Sequence, residues 1–202
     1  MSRSLNEIEA MALKAARGAG LPWGMAQEAG RAVRWLQSHG LPGVEALAQM
    51  LPGEAGAAPA DLGGHWQGRL CPLLCGASLC DTAARFARGE GVVMERVLHP
   101  LLLLPFAAMA GAQVGRIVVV EWEGAKAACC GARLAVTGPQ VYEAGPVMLR
   151  CYAVQEAADS RAPGFRGDVE PQAWRMLEGL AARTYAPESA ESRRLGAGAG
   201  DE

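Results

Sequence analysis

The chain has 202 residues, 50% of them apolar and 20% charged, with a formal net charge of -2. That length suits one domain with a sizeable core. Its near-neutral balance provides no global field for nucleic acid or an anionic membrane, so neither is expected as a partner.

Ser4-Leu5-Asn6-Glu7 has the form of a capping box, which predicts a helix starting there. Leu5, Ile8, Met11, Ala12, Ala15 and Ala16 recur at helical spacing on one face, and Gly18 or Gly20 offers the exit. The charged and polar Asn6, Glu7, Glu9 and Lys14 in this segment exclude a secretory signal, so the chain is expected in the cytoplasm. Pro22 opens a second helix that runs to Gly40. Small residues at Ala26, Ala29 and Gly30 allow close approach, so the two helices are expected to form an antiparallel hairpin. A third, short helix is predicted from Pro42 to Leu51.

Residues 52–64, rich in Gly, Ala and Pro, read as a loop. A helix is predicted from Leu73 to Ala87. The run from Val92 to Trp122 holds the densest apolar material and is the expected core. Strands are predicted at Val92–Leu98, Leu101–Leu104, Arg116–Trp122, Lys126–Cys130, Arg133–Thr137 and Val147–Val154, joined as a meander. Phe106–Ala112 fits equally a short helix beneath the sheet. A last helix is predicted from Glu170 to Tyr185. The longest apolar run, Leu101 to Ala110, is about half of the roughly 20 residues a bilayer span needs.

Helices, then consecutive strands, then a helix predict an α+β fold. An N-terminal helical unit packs on a mainly antiparallel or mixed sheet, with a C-terminal helix. The expected organisation is one globular domain over 1–187, made of a helical unit (1–51), a loop (52–64) and sheet plus helices (65–187). A flexible Gly-rich tail follows at 188–202.

The chemistry-bearing residues are scattered. Cys71, Cys75 and Cys80 near His65 lack the usual ligand spacing, because Cys80 sits off the helix face of Cys75, and no metal site is expected. The six cysteines read as free thiols in a reducing compartment. Cys129 and Cys130, adjacent on a strand, should point to opposite faces. Gly76-Ala77-Ser78-Leu79-Cys80 lacks the second glycine of a nucleophile elbow. His99, ahead of Pro100, is either a satisfied core histidine or a buried acid or base at a sheet edge. Ser38-His39-Gly40 is similar to the Ser-His-Gly element of malate and lactate-type dehydrogenases of the non-Rossmann kind, over three residues alone. The helix dipole and the glycine exit already account for His39.

The closing segment concentrates hydroxyls and guanidinium groups before a Gly-Ala run. Arg183, Tyr185, Ser189, Ser192 and Arg193 are the candidate anion site there, with a frayed terminus as the alternative. Leu5-Asn6-Glu7-Ile8-Glu9, the segment from Ala15 through Trp23-Gly24 to Ala32, and Ala182-Arg183-Thr184-Tyr185 with Pro187, Ser192-Arg193 and Gly196 to Gly200 resemble an uncharacterised bacterial family of this length, a domain of unknown function. The resemblance implies a stand-alone bacterial protein and assigns no catalytic residue. Two functions follow from the sequence. One is non-catalytic binding of a small ligand or a protein partner, as an accessory subunit of a metabolic enzyme or as a homo-oligomer. The other is a small-molecule enzyme whose C-terminal Arg, Tyr and Ser residues bind an anionic small molecule. No cofactor is expected.

Overall fold

The computed structural model describes residues 1–53, 56–142, 144–155 and 162–184. Strand β1 (Ser2–Ser4) leads into helix α1 (Leu5–Gly18). The capping box forms as the sequence implies. The Glu7 amide donates to Ser4 Oγ at 3.2 Å, and the Ser4 amide donates to the Glu7 carboxylate at 2.9 Å. Helix α2 (Trp23–Ser38) returns alongside α1, and α3 (Gly43–Met50) follows. Arg34 near the end of α2 pairs with Glu9 at 2.8 Å and donates to Asn6 at 2.6 Å, near the start of α1, so the hairpin is antiparallel. Gly30 makes the contact close: a Cβ there would lie 2.9 Å from the Glu9 carbonyl oxygen. Val33, Leu36 and Leu47 are fully buried at this junction, each worth about 1.5–3 kcal/mol of transfer free energy.

Strand β2 (His65–Trp66) precedes α4 (Pro72–Asp81) and α5 (Ala84–Ala87). The helix expected over 73–87 is therefore broken. Thr82 Oγ bonds back to the Ser78 carbonyl at 2.7 Å, and its backbone has left helical values at φ -107. Strand β3 (Val92–Val97) carries an irregularity between Met94 and Val97, with Arg96 at φ +46. The strand expected at Leu101–Leu104 is not one. Pro100–Leu103 is a 3-10 turn that passes into α6 (Leu104–Val114). Pro100 and Pro105 occupy first-turn positions, where a missing N–H loses no bond, and the run is buried all round instead of alternating. Phe106–Ala112 thus takes its helical option.

The remaining strands are β4 (Ile117–Trp122), β5 (Ala125–Cys130), β6 (Arg133–Thr137), β7 (Val147–Val154) and β8 (Arg166–Asp168), before α7 (Pro171–Ala181). A 3-10 turn, Ala182–Thr184, closes the described chain where the expected helix continued to Tyr185. The main sheet runs β2-β3-β7-β4-β5-β6. The β2–β3 pair is parallel and the others are antiparallel, so the sheet is mixed and the fold is α+β. Only β4-β5-β6 is a meander. β7 enters between β3 and β4, a placement that sequential pairing does not anticipate.

One sheet face packs on α6 through Val118, Val120, Ala127 and Cys129. On the other, Arg150, Glu121 and Lys126 stand directly opposite one another across β7, β4 and β5, so unlike charges are neighbours. Cys129 is buried and Cys130 half-buried, as alternation requires. A separate two-stranded sheet pairs β1 with β8, and α7 packs on α1 beside it, with the Arg3 guanidinium 4.9 Å from the centre of the Trp174 ring. Among the described residues, no helix is long and apolar enough to cross a membrane.

Candidate functional site

The C-terminal end of α2 and strand β8 build the principal cleft. Gly167 packs so closely on Ile8 and Gln37 that a Cβ there would lie 2.9 Å from each side chain. This seats β8 against the helix hairpin and projects its neighbours, Arg166 and Asp168, to the other side of the strand. The Gly164 amide donates to the Ser38 carbonyl at 2.6 Å, fastening the preceding segment to the end of α2. The cavity between them is about 650 Å³ and is lined by Ser38, His39, Gly40, Tyr142, Arg166 and Asp168, among others. Arg166 is steadied by Ser2, donating from Nε to its hydroxyl at 3.0 Å and from Nη2 to its carbonyl at 3.4 Å. No ion pair joins Arg166 to Asp168 among the described residues.

His39 forms part of the wall, and its chemistry is constrained. Nδ1 lies 2.8 Å from the Trp35 carbonyl oxygen and Nε2 lies 2.9 Å from that of Ala132. A carbonyl oxygen has no proton to give, so each contact is a hydrogen bond only when that nitrogen carries one. The Ser38 hydroxyl donates to the same Trp35 carbonyl at 2.7 Å and lies 3.2 Å from Nδ1. The ring packs on that of Trp35, tilted by 38° with centroids 4.1 Å apart, and Trp35 Nε1 donates to the Gly131 carbonyl at 3.0 Å. His39 and Trp35 together pin the β5–β6 turn to α2. In this arrangement His39 presents no free ring nitrogen to a ligand, and Ser38 and His39 are not a nucleophile and its base.

His99 opens on a separate, smaller cavity of about 140 Å³ that shares Pro42 and Tyr142 with the first. Its backbone is left-handed at φ +43, turning the chain out of β3 into the 3-10 segment. Burial lowers its pKa, favouring the neutral ring. No described residue hydrogen-bonds that ring. Of the C-terminal candidates, Arg183 is exposed beyond the last turn of α7. Asp168 precedes that helix, and the helix length puts roughly 16 Å between its ends. The structure does not bring Arg183 into the cleft. Tyr185, Ser189, Ser192 and Arg193 lie outside the described residues.

The structure adds Arg166, Asp168 and Tyr142, which the sequence did not single out. The signal present was the x-Gly-x pattern Arg166-Gly167-Asp168, two charges flanking a glycine on an extended segment. Burial raises the thiol pKa of Cys75 and Cys151 to about 12, and among the described residues no group of three or more His, Cys, Asp or Glu could hold a metal ion.

Fold and site together describe an α+β protein with a cleft between the end of α2 and strand β8. Residues 3–72 match the family model described as Protein of unknown function (DUF3726). The match includes the N-terminal residues of the resemblance and Ser38-His39-Gly40, and does not extend to Arg166. Among solved structures, the chain is similar to a malate dehydrogenase from Entamoeba histolytica, with 12% identity and a TM-score of 0.47. The likeness covers 79% of this chain and 50% of that one, so this chain spans about half of that protein. No curated protein matches the chain.

Proposed function

We propose that this chain is a non-catalytic binding protein of the bacterial cytoplasm, serving as an accessory subunit to a metabolic enzyme. Its ligand is a small molecule that carries both an anionic and a cationic group, held in the cleft beside Ser38 and His39. The observation that carries this is the pair Arg166 and Asp168. They project from the same side of β8 into one cavity without pairing to each other. A guanidinium suits a carboxylate, and a carboxylate suits an ammonium group. The volume of about 650 Å³ falls in the range of small-molecule sites, about 300–1,000 Å³. The engagement of both His39 nitrogens favours binding over catalysis.

Calorimetric and thermal-shift titration with free amino acids tests this, using their deaminated acids and decarboxylated amines as controls. Saturation at about 100 times the dissociation constant adds roughly 2.7 kcal/mol to stability. The expected result is that amino acids bind, that R166Q weakens amino acids and acids alike, and that D168N weakens amino acids but not acids. Silence from the whole panel, or unchanged binding by both variants, overturns the proposal.

A small-molecule enzyme is the second reading, and one observation favours it. Ser38-His39-Gly40, the element similar to that of the non-Rossmann malate and lactate-type dehydrogenases, lies in the cleft wall. It requires His39 to release a carbonyl and turn a ring nitrogen to the substrate. Loss of nicotinamide absorbance when reduced cofactor and a 2-oxo acid are supplied, abolished in H39Q, would establish this reading over the first.

A further inference from the structure

Strand β6 closes the sheet, and among the described residues no strand pairs with its outer edge. It meets β5 through a two-residue turn, Gly131-Ala132, with Gly131 at φ +59. In such a hairpin the closing pair, Cys130 and Arg133, exchanges both main-chain bonds. Ala135 therefore bonds inward to β5, while Leu134 and Val136 turn their N–H and C=O groups to the open edge. Exposed edges are usually blunted by short length, charged side chains, proline or a bulge. Arg133-Leu134-Ala135-Val136-Thr137 has no proline and no bulge, carries its one charge, Arg133, at its end, and keeps an unbroken register with β5 over all five residues.

We propose that β6 is the seam of a two-fold dimer, in which β6 of a second copy adds antiparallel and makes one continuous sheet. This surface is independent of the cleft. The strand is self-complementary about Ala135. With the two-fold axis there, Leu134 faces Val136 of the second copy and the two exchange main-chain bonds. Arg133 faces Thr137 of the second copy, so no like charges meet. Leu134 is already in the core, and Val136 is half-buried against it. The added strand extends that apolar face.

A short seam is too small to hold a dimer alone, since stable interfaces bury about 1,200–2,000 Å². The fold supplies more at the start of β6. An apolar groove of about 290 Å³, lined by Trp35, Pro105, Phe106 and Met109, ends at the Gly131-Ala132 turn. Met109 is 42% exposed. The antiparallel pairing brings Thr137 of the second copy, the last residue of its β6, opposite Arg133, next to the turn at which that groove ends. Its rim carries Glu28 and Arg31, one charge of each sign, so two copies meet without net repulsion.

Sedimentation of the full chain over a wide concentration range tests the pairing, and two variants locate it. V136P removes an outward N–H on an edge strand, where proline is tolerated. It should shift the population to monomer while leaving the circular dichroism spectrum unchanged. A135C, made in a C130S background, places thiols across the axis. Facing residues of a non-bonded pair have Cα atoms about 4.5 Å apart, within the range a disulfide spans. Mild oxidation should then yield a covalent dimer. A chain that stays monomeric at every concentration and does not cross-link through position 135 overturns the proposal. So does a dimer that survives V136P intact. If V136P does not fold, cross-linking at position 135 decides alone.

Discussion

Gly76 is where the helical layer is most sensitive to a single methyl group. It lies inside α4 and faces the buried ring of Phe106 on α6. A Cβ at Gly76 would fall well inside contact distance of Phe106 Cγ and Cδ2, and 2.9 Å from its Cβ. G76A therefore sets two effects against each other. Alanine is the better helix residue in an interior position, by about 0.5–1 kcal/mol. Overpacking a buried contact costs about 1–3 kcal/mol, and here the clash is with a ring base, which has no flexible end to swing away. The net loss should be about 1–2 kcal/mol, or roughly 2–8 °C in melting temperature for a chain of this size. Calorimetric melting of wild type, G76A, F106A and the double variant measures it. G76A should cost less in the F106A background, because the Cγ and ring carbon that it strikes are gone. A G76A protein that melts at or above wild type refutes it, as does an equal loss in both backgrounds.

Alkaline stability should follow the buried thiols. Burial raises Cys75 and Cys151 from 9.0 to about 12, so the folded state holds protons that the unfolded chain releases. Their contribution is full below pH 9 and is lost as the pH rises toward 12. Urea midpoints should fall over that window and fall less in a C75A/C151A variant. Under native conditions at neutral pH only Cys80 and Cys130, the two half-buried cysteines, should be open to a thiol reagent. Fast reaction of the other four would contradict the core packing. W35F removes the hydrogen bond to the Gly131 carbonyl, worth about 0.5–1.5 kcal/mol. It should speed amide exchange in the β5–β6 turn more than in β7, and uniform exchange would deny the pinning role.

The fold class was legible because its determinants are local. Ser4 and Glu7 define a helix start within four residues, and the apolar stripe from Leu5 to Ala16 gives the face that α2 covers. Cys129 and Cys130 sort to opposite sides by alternation alone. Where sequence reasoning missed, the deciding physics was non-local. Leu101–Leu104 is apolar throughout, and only the two prolines that bracket it, acting as helix openers, mark it as the approach to α6. The insertion of β7 between β3 and β4 leaves no periodic trace, since pairing partners are chosen across the whole sheet. β1 and β8 are three residues each, too short to carry a pattern.

The cleft was illegible for the same reason. Its walls come from residues 37–42, 142 and 162–168, which nothing in the linear order links. Ser38-His39-Gly40 was visible as a helix ending, and the glycine exit forms: His39 ends α2 and Gly40 takes φ +71. Local reasoning could not reveal that the imidazole reaches the carbonyl of Ala132, far along the chain. That reach changes the meaning of the residue. A histidine at a helix end with a free nitrogen is a candidate base, whereas one held between two carbonyls is a clasp between layers. The same logic separates Arg166 from Arg183. Both are exposed arginines near the ends of short elements. Only Arg166 has its guanidinium steadied by a neighbouring strand, and only Arg166 shares a cavity with a carboxylate that it does not neutralise. Position in the fold, rather than residue type, makes one of them a candidate for binding.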